Sequence, residues 1–122
     1  MNGVKFLLDT NILLYLMGKK IDVDSLPDGE FYISFVTELE ILSYPSITQQ
    51  EEKGIKKMLI EMPIVELNIG IKKYSIEFRR KYNLKLPDAI IAATAFELGA
   101  TLITNDKKFL SVTEIKVKSI EV

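Results

Sequence analysis

In FLLDTNILLYLM, residues 6–17, two apolar runs flank three polar residues. The first run, which begins at Val4, is short and predicts a buried strand. The second run predicts a helix, with Thr10 or Asn11 as its N-cap and Gly18 as its end. Between them stands Asp9, and a carboxylate that joins two buried segments needs a physical reason, because an unpaired buried charge is costly.

The rest of the chain alternates between strand-like and helix-like segments. Further strands are predicted at FYISFV (31–36), IVELN (64–68), TLIT (101–104) and IKVKSIEV (115–122). Further helices are predicted at TELEILSY (37–44, with Thr37 as cap), TQQEEKGIKKMLIEM (48–62), IKKYSIEFRRKYN (71–83) and LPDAIIAATAFELGA (86–100). Alternation of this kind predicts an α/β protein, a three-layer α/β/α sandwich around a mostly parallel sheet of about five strands. The length of 122 residues suits one domain spanning 1–122.

The composition excludes several kinds of chemistry. The chain has no cysteine and no histidine, which excludes a disulfide framework, thiolate or imidazole metal sites, and a serine–histidine triad. The net charge of −1 gives no overall basic character, so any nucleic-acid surface must come from local clusters. No apolar run reaches the length of a membrane span and the N-terminus does not read as a signal peptide, so we expect a cytoplasmic protein.

Four acidic residues, far apart in sequence, are expected to meet at the carboxyl edge of the predicted sheet. Asp9 and Asp106 each follow a strand, Glu40 lies early in the helix after the second strand, and Asp88 begins the helix that precedes the fourth strand. The carboxyl ends of parallel strands share one edge, so chain direction alone brings these residues together. Two carboxylates about 4 Å apart repel by roughly 4 kcal/mol at an effective dielectric of about 20. Such a cluster must hold protons or bind a cation.

An all-oxygen site favours Mg²⁺ or Mn²⁺, and metal-assisted phosphate-ester hydrolysis is the chemistry that follows. Each acid also has a simpler interpretation when it is considered alone. Asp9 could merely cap the following helix, and Asp88 follows a proline at a helix start, where acids favour the macrodipole. Asp106 could belong only to a turn, and Glu40 could be a solvated helix residue. Glu38 competes with Glu40, since the two point about 200° apart on a helix and only one can face the cleft.

The segments that carry these acids, FLLDTNILLYLM, TELEIL, LPDAIIAATA and LITNDKKF, resemble the signature segments of the PIN domain, most closely the small VapC-type toxins of toxin–antitoxin pairs. The resemblance covers about residues 4–110 and implies a metal-dependent ribonuclease with a five-stranded parallel sheet. By position, the resemblance implies that the catalytic, metal-binding residues are Asp9, Glu40, Asp88 and Asp106. The motif aligns Glu40, and not Glu38, with the acid of the family. The resemblance implies supporting polar roles for Thr10, Asn11 and Thr104. It also implies a homodimer and a small antitoxin that blocks the site.

A nuclease must hold a polyanion beside its acidic site. The densest basic stretch lies within residues 72–85, and the residues expected to contact RNA are Lys72, Lys73, Arg79, Arg80, Lys107 and Lys108. Tyr74 and Tyr82 are interleaved with this stretch and could stack on bases. The alternative is that this stretch is a solvated helix face whose tyrosines cover the core, and that Asp-Lys-Lys is an ordinary turn.

Three other functions have different requirements. A receiver module would need a second acid next to Asp9, where the chain has Thr10, and an aspartate ending a central strand, where FYISFV ends in Val36. A haloacid-dehalogenase-like phosphatase would need Asp-x-Asp, but Asn11 stands at the second acidic position. A catalytically inactive PIN-like domain, acting only as a binding module, would not need all four acids. An RNA-processing nuclease outside any toxin–antitoxin pair is the nearest alternative to a toxin.

Overall fold

The central sheet of the computed structural model, which describes residues 3–122, is parallel throughout. Its strands follow the order β3-β2-β1-β4-β5. They are β1 Lys5–Leu8, β2 Glu30–Ser34, β3 Ile64–Val65, β4 Thr101–Ile103 and β5 Lys116–Lys118. Because β1 lies in the middle and pairs with β2 on one side and β4 on the other, Leu8 is opposite Ile33 and Ile103. The predicted parallel sheet of about five strands is confirmed.

Helices connect successive strands across both faces of the sheet. Across residues 3–122 the α-helices are α1 Thr10–Met17, α2 Phe35–Leu42, α3 Gln49–Ile60, α4 Ile69–Tyr82 and α5 Leu86–Leu98, and short 3₁₀ helices span Val23–Ser25 and Lys107–Ser111. An apolar cluster lies between each face of the sheet and the helices that cover it. Leu7 faces the cluster formed with α4 and α5, whereas Phe6 and Leu8 face the cluster formed with α1, α2 and α3. This alternation along one strand produces the predicted three-layer arrangement.

Two predicted helix caps are wrong, for the same physical reason. The Asp9 carboxylate, not Thr10 or Asn11, caps α1 by accepting a hydrogen bond from Ile12 N at 2.8 Å. At α2 the Ser34 hydroxyl accepts from Val36 N at 3.1 Å, so the helix starts two residues before the predicted cap Thr37. At both helix starts more than one nearby residue can cap, and the end of the preceding strand decides which one does.

Three strands end at least two residues earlier than predicted. The second strand ends at Ser34 instead of continuing to residue 36, and the third contains only Ile64–Val65 of the predicted 64–68. The fifth contains only Lys116–Lys118 of the predicted 115–122. The third strand cannot extend to Asn68, because the Asn68 side chain caps α4 by accepting a hydrogen bond from Ile71 N at 2.8 Å. Within residues 3–122, no helix is both long and apolar enough to cross a bilayer.

Candidate functional site

Asp9 is the buried centre of the carboxyl edge of the sheet. Its backbone N–H donates to Ile103 O at 3.2 Å, which joins the end of β1 to the end of β4. The side chain is 5% exposed, and its two oxygens accept hydrogen bonds from Ile12 N and from the Thr104 hydroxyl. Burial raises the pKa of Asp9 above its ordinary value, the two hydrogen bonds oppose that rise, and the charges of Asp106 and Asp88 add to it.

Thr104 links two of the predicted acids through one hydroxyl group. The hydroxyl donates to Asp9 Oδ2 and accepts from Asp106 N at 3.0 Å. Thr104 is 1% exposed, and its own N–H donates to Lys118 O at 3.0 Å. The residue is therefore fixed by the sheet, and it fixes the spacing between Asp9 and the backbone that carries Asp106.

Asp88 and Asp106 are joined by an ammonium group. Lys108 Nζ lies 2.9 Å from Asp88 Oδ2 and 3.0 Å from Asp106 Oδ2. Partial burial acts to raise the pKa of Asp106, but the hydrogen bonds and the charge of Lys108 outweigh it and leave that pKa below its ordinary value. Hydrogen bonds to Asp88 and Asp106 raise the pKa of Lys108 in turn. Asp88 and Asp106 therefore share one positive charge, that of the Lys108 ammonium.

Glu40 completes the opposite side of the site through two threonines. Thr10 Oγ1 donates to Glu40 Oε1 at 2.6 Å and lies 3.0 Å from the Thr37 hydroxyl. Thr37 is 0% exposed and Glu40 lies one helical turn after it, so both project from the same face of α2. This places Glu40 toward Asp9's helix, whereas Glu38 is not among the described residues that line the cleft.

All four predicted acids line one cleft of about 370 Å³. The other described residues around it are Thr10, Asn11, Leu14, Ser43, Tyr44, Ile91, Lys108 and Phe109. Asn11 lines the cleft, whereas Thr104 is not among its lining residues and contributes through its hydrogen bond to Asp9. The cleft contains four carboxylates and one ammonium group, so its electrostatic potential favours further cations.

The donor atoms of this cleft suit a hard divalent cation. Carboxylate and hydroxyl oxygens are the ligands that Mg²⁺ and Mn²⁺ prefer, and the Lys108 ammonium shows that Asp88 and Asp106 attract a cation. Among residues 3–122, however, no three acidic side chains already form a ligand set for a metal ion. An ion held by three of these acids would therefore require side chains at the rim to move, whereas Asp9 is held in place by its two hydrogen bonds.

The basic residues predicted to contact RNA lie in two places. Lys72, Lys73, Arg79 and Arg80 are exposed on α4, and the two arginines line a separate depression of about 520 Å³ with Ile76, Asn83, Leu84 and Leu86. Lys107 and Lys108 follow Asp106, and Lys108 is the one of the six that lines the carboxylate cleft in the described chain. The spatial arrangement therefore separates the lysines next to the acids from the basic face of α4.

The two tyrosines in the basic stretch are committed to contacts within the protein. The Tyr74 ring packs edge-on against Phe96, with centroids 4.6 Å apart. The Tyr82 hydroxyl donates to the Glu114 carboxylate, which also pairs with Lys81 at 3.0 Å. These contacts favour the alternative that the tyrosines help to cover the core of the protein.

Two features of the site are not predicted from the sequence. They are the hydrogen bond between Thr37 and Thr10, and the position of Lys108 between two acids. The sequence predicts only a capping role for Thr37, although its spacing of three residues from Glu40 indicates a shared helix face. The sequence indicates an ordinary turn at Asp-Lys-Lys, but it does not indicate that the 3₁₀ helix Lys107–Ser111 brings the Lys108 ammonium between two acids.

Comparison with known proteins agrees with this fold. The profile of the PIN domain family matches residues 6–115. The chain therefore belongs to the PIN domain family, and the predicted resemblance is confirmed. No curated protein gives a significant match.

Several similar solved structures are toxin–antitoxin complexes. VapBC2 from Rickettsia felis, bound to a DNA fragment from its promoter, has a TM-score of 0.83 at 21% identity, covering 97% of this chain and 100% of that one. A toxin–antitoxin complex from Klebsiella pneumoniae has a TM-score of 0.75 at 30% identity, covering 89% and 93%. VapBC-1 from nontypeable Haemophilus influenzae has a TM-score of 0.78 at 24% identity, covering 95% and 98%.

Proposed function

We propose that this chain is a Mg²⁺- or Mn²⁺-dependent endoribonuclease and the toxin component of a toxin–antitoxin pair. The observation that carries the nuclease proposal is the convergence of Asp9, Glu40, Asp88 and Asp106 on one cleft. Membership of the PIN domain family supports hydrolysis of nucleic acid as the reaction class. The toxin role is supported by the toxin–antitoxin complex from Klebsiella pneumoniae, which is 30% identical over 89% of this chain.

In this proposal Asp9, Asp88 and Asp106 hold the divalent ion, and Glu40 completes the site. A bound Mg²⁺ or Mn²⁺ supplies Lewis-acid activation of the phosphodiester and of a water molecule. Asp9 fixes the position of the site, because its carboxylate is held by Ile12 N and Thr104 and cannot turn without losing both hydrogen bonds. Asp88 and Asp106 are more exposed and adjust to the ion.

Glu40 is suited to act on the attacking water. Its carboxylate is held from one side by Thr10 Oγ1 at 2.6 Å, which leaves the second oxygen directed at neither threonine. Such a carboxylate can orient a water molecule and accept its proton as the water attacks phosphorus. Thr37 hydrogen-bonds Thr10 and so keeps Thr10 in the position that orients Glu40.

RNA is the proposed substrate, and its backbone must be held by the few cations near the cleft. Lys107 and Lys108 are placed beside Asp106 and contact the phosphates next to the scissile bond in this proposal. Lys72, Lys73, Arg79 and Arg80 on α4 would bind more distant phosphates. Because contacts of Lys and Arg with phosphates release counterions, we expect cleavage to weaken as salt increases.

The proposed partners are a second copy of the chain and a small antitoxin. An apolar groove of about 650 Å³, lined by residues of α1, α2 and α3, adjoins the carboxylate cleft and shares Leu14 and Tyr44 with it. An antitoxin segment packed in that groove would reach the acidic cleft directly. The similarity to solved toxin–antitoxin complexes supports such a partner.

The nuclease proposal is tested with purified protein and a labelled single-stranded RNA in Mn²⁺, with and without EDTA. Asp9→Asn removes the fixed carboxylate, and we expect cleavage to fall by at least about 100-fold. Glu40→Gln and Glu38→Gln form a matched pair on one helix, of which only the first changes the cleft. We expect Glu40→Gln to lose about 10- to 100-fold in rate and Glu38→Gln to stay within about twofold of wild type. Cleavage that persists in EDTA or in Asp9→Asn would refute the proposal.

The toxin role needs a separate test, because an RNA-processing nuclease would give the same cleavage result. Expression of the wild-type chain in a bacterial host is expected to arrest growth, and expression of Asp9→Asn is expected to leave growth unchanged. Co-expression of a short gene that neighbours the native one should restore growth. Normal growth of cells that contain active nuclease would argue for a processing enzyme instead.

A further inference from the structure

The side chain of Lys108 occupies the space between two of the proposed metal ligands. Its ammonium lies 2.9 Å from Asp88 Oδ2 and 3.0 Å from Asp106 Oδ2, and the three side chains are 40%, 18% and 37% exposed respectively. Among the residues that the structure describes around the cleft, Lys108 is the one cation. It therefore neutralises part of the charge that would otherwise attract a divalent ion.

The local backbone presents Lys108 at this point. The Lys108 N–H donates to Asp106 Oδ1 at 3.1 Å, so the main chain binds one oxygen of this carboxylate and the ammonium binds the other. The Ser111 hydroxyl donates to Lys108 O at 2.8 Å and closes the 3₁₀ helix. Phe109, 2% exposed, anchors that helix in the core. The hydrogen bonds to Asp106 and from Ser111, together with the burial of Phe109, therefore hold the backbone of Lys108 in place.

Two cations cannot share the space between these carboxylates. A divalent ion placed between Asp88 and Asp106 competes with Lys108 Nζ for Asp88 Oδ2 and Asp106 Oδ2. The ammonium and the ion also repel each other at short range. Binding of the ion therefore requires Lys108 to leave at least one of the two acids.

We propose that Lys108 is a built-in competitor for the divalent metal, holding Asp88 and Asp106 until an ion displaces its ammonium. This inference rests on the proposed function, because it assumes that these acids bind the ion. The displaced ammonium stays tethered at the rim of the cleft, where it is free to pair with a phosphate of RNA. Lys108 thus lowers the affinity of the protein for metal alone and contributes a phosphate contact when metal and RNA are both present.

The test is a Mn²⁺ titration of the purified protein, with free Mn²⁺ measured by electron paramagnetic resonance. Lys108→Met keeps the length of the side chain and removes its charge. We expect it to bind Mn²⁺ about five- to tenfold more tightly, the effect of removing two partly exposed ion pairs. Lys107→Met is the matched control, since it removes the same charge one residue away from the bridge. We expect its affinity for Mn²⁺ to stay within about twofold of wild type.

Thermal unfolding provides a second readout that a merely structural lysine would not reproduce. In EDTA, Lys108→Met should unfold about 2–4 °C below wild type, because Asp88 and Asp106 lose their shared partner. At saturating Mn²⁺ the variant should be equal to wild type or more stable. A lysine that only stabilises the fold would lower the unfolding temperature in both conditions.

The outcomes separate this inference from the proposed function. Tighter Mn²⁺ binding by Lys108→Met than by Lys107→Met supports the inference, including a result in which wild type binds too weakly to measure. Equal or weaker binding by Lys108→Met overturns the inference and leaves the metal-dependent nuclease intact. Absence of Mn²⁺ binding in wild type and in both variants overturns the inference and the metal-dependent nuclease together.

Discussion

Replacing Thr104 by valine tests how the buried carboxylate is held. Valine matches threonine in shape but cannot donate to Asp9 Oδ2 or accept from Asp106 N. Loss of a hydrogen bond to a charged group costs about 1.5–3 kcal/mol, and an N–H left without a partner adds about 1 kcal/mol. We therefore expect Thr104→Val to lower the free energy of unfolding by about 3 kcal/mol at pH 7.5.

The control for this substitution is Thr94→Val. Thr94 is 0% exposed and its hydroxyl donates at 2.6 Å to Ile90 O, a carbonyl of the same helix. In Thr94→Val the same change removes a hydrogen bond between two neutral groups and leaves no charged group without a partner. We therefore expect the free energy of unfolding to fall by less than about 1 kcal/mol. Thr104→Ser, which retains the hydroxyl, should recover most of the stability. Urea unfolding in EDTA, followed by circular dichroism, measures all three variants.

The loss in Thr104→Val should also depend on pH. Burial already raises the pKa of Asp9 above the ordinary value of 3.8, and the Thr104 hydrogen bond opposes that rise. Removing the hydroxyl raises the pKa further, and a carboxyl group whose folded pKa exceeds its unfolded pKa costs stability at high pH. The penalty is complete above the folded pKa and vanishes as the pH falls toward the unfolded value. A loss of stability that is the same at pH 7.5 and pH 4.5, or no larger than in Thr94→Val, would refute this reasoning.

Two further predictions concern packing. Phe78 is 0% exposed, and its ring centroid lies 5.7 Å from that of Phe96, so it fills the core between α4 and α5. Phe78→Ala should therefore lower the free energy of unfolding in urea by about 3–5 kcal/mol. A loss below about 1 kcal/mol would contradict this packing. A Cβ at Gly29 would lie 2.6 Å from both Val4 O and Phe6 Cε2, so Gly29→Ala should cost about 1–3 kcal/mol, and an unchanged urea midpoint would contradict that close approach.

The convergence of the acids could be predicted because it follows from chain direction. Asp9 and Asp106 come after β1 and β4, which pair in parallel, and the pairing of Leu8 with Ile103 brings the two strand ends together. Whichever residue caps α1, this relation between adjacent strands is unchanged. The sequence therefore predicted the sheet and the edge at which the acids lie.

Details decided by competition between neighbouring residues could not be predicted. Asp9, Thr10 and Asn11 are all good N-caps, and only the position of the strand end selects Asp9. The bridge made by Lys108 depends on a 3₁₀ helix that follows Asp106, and a turn of that kind has no distinctive pattern of apolar residues. A basic stretch on α4 is visible in sequence, but its distance from the cleft depends on tertiary packing.

The most direct test of a divalent-cation site formed by acids from distant parts of the chain is an anomalous difference map from Mn²⁺-soaked crystals. We predict a peak in the cleft, with oxygens of Asp9, Asp88 and Asp106 as its protein ligands and with Lys108 withdrawn from Asp88 or Asp106. A map with no peak in the cleft, at a Mn²⁺ concentration that supports RNA cleavage, would contradict the account.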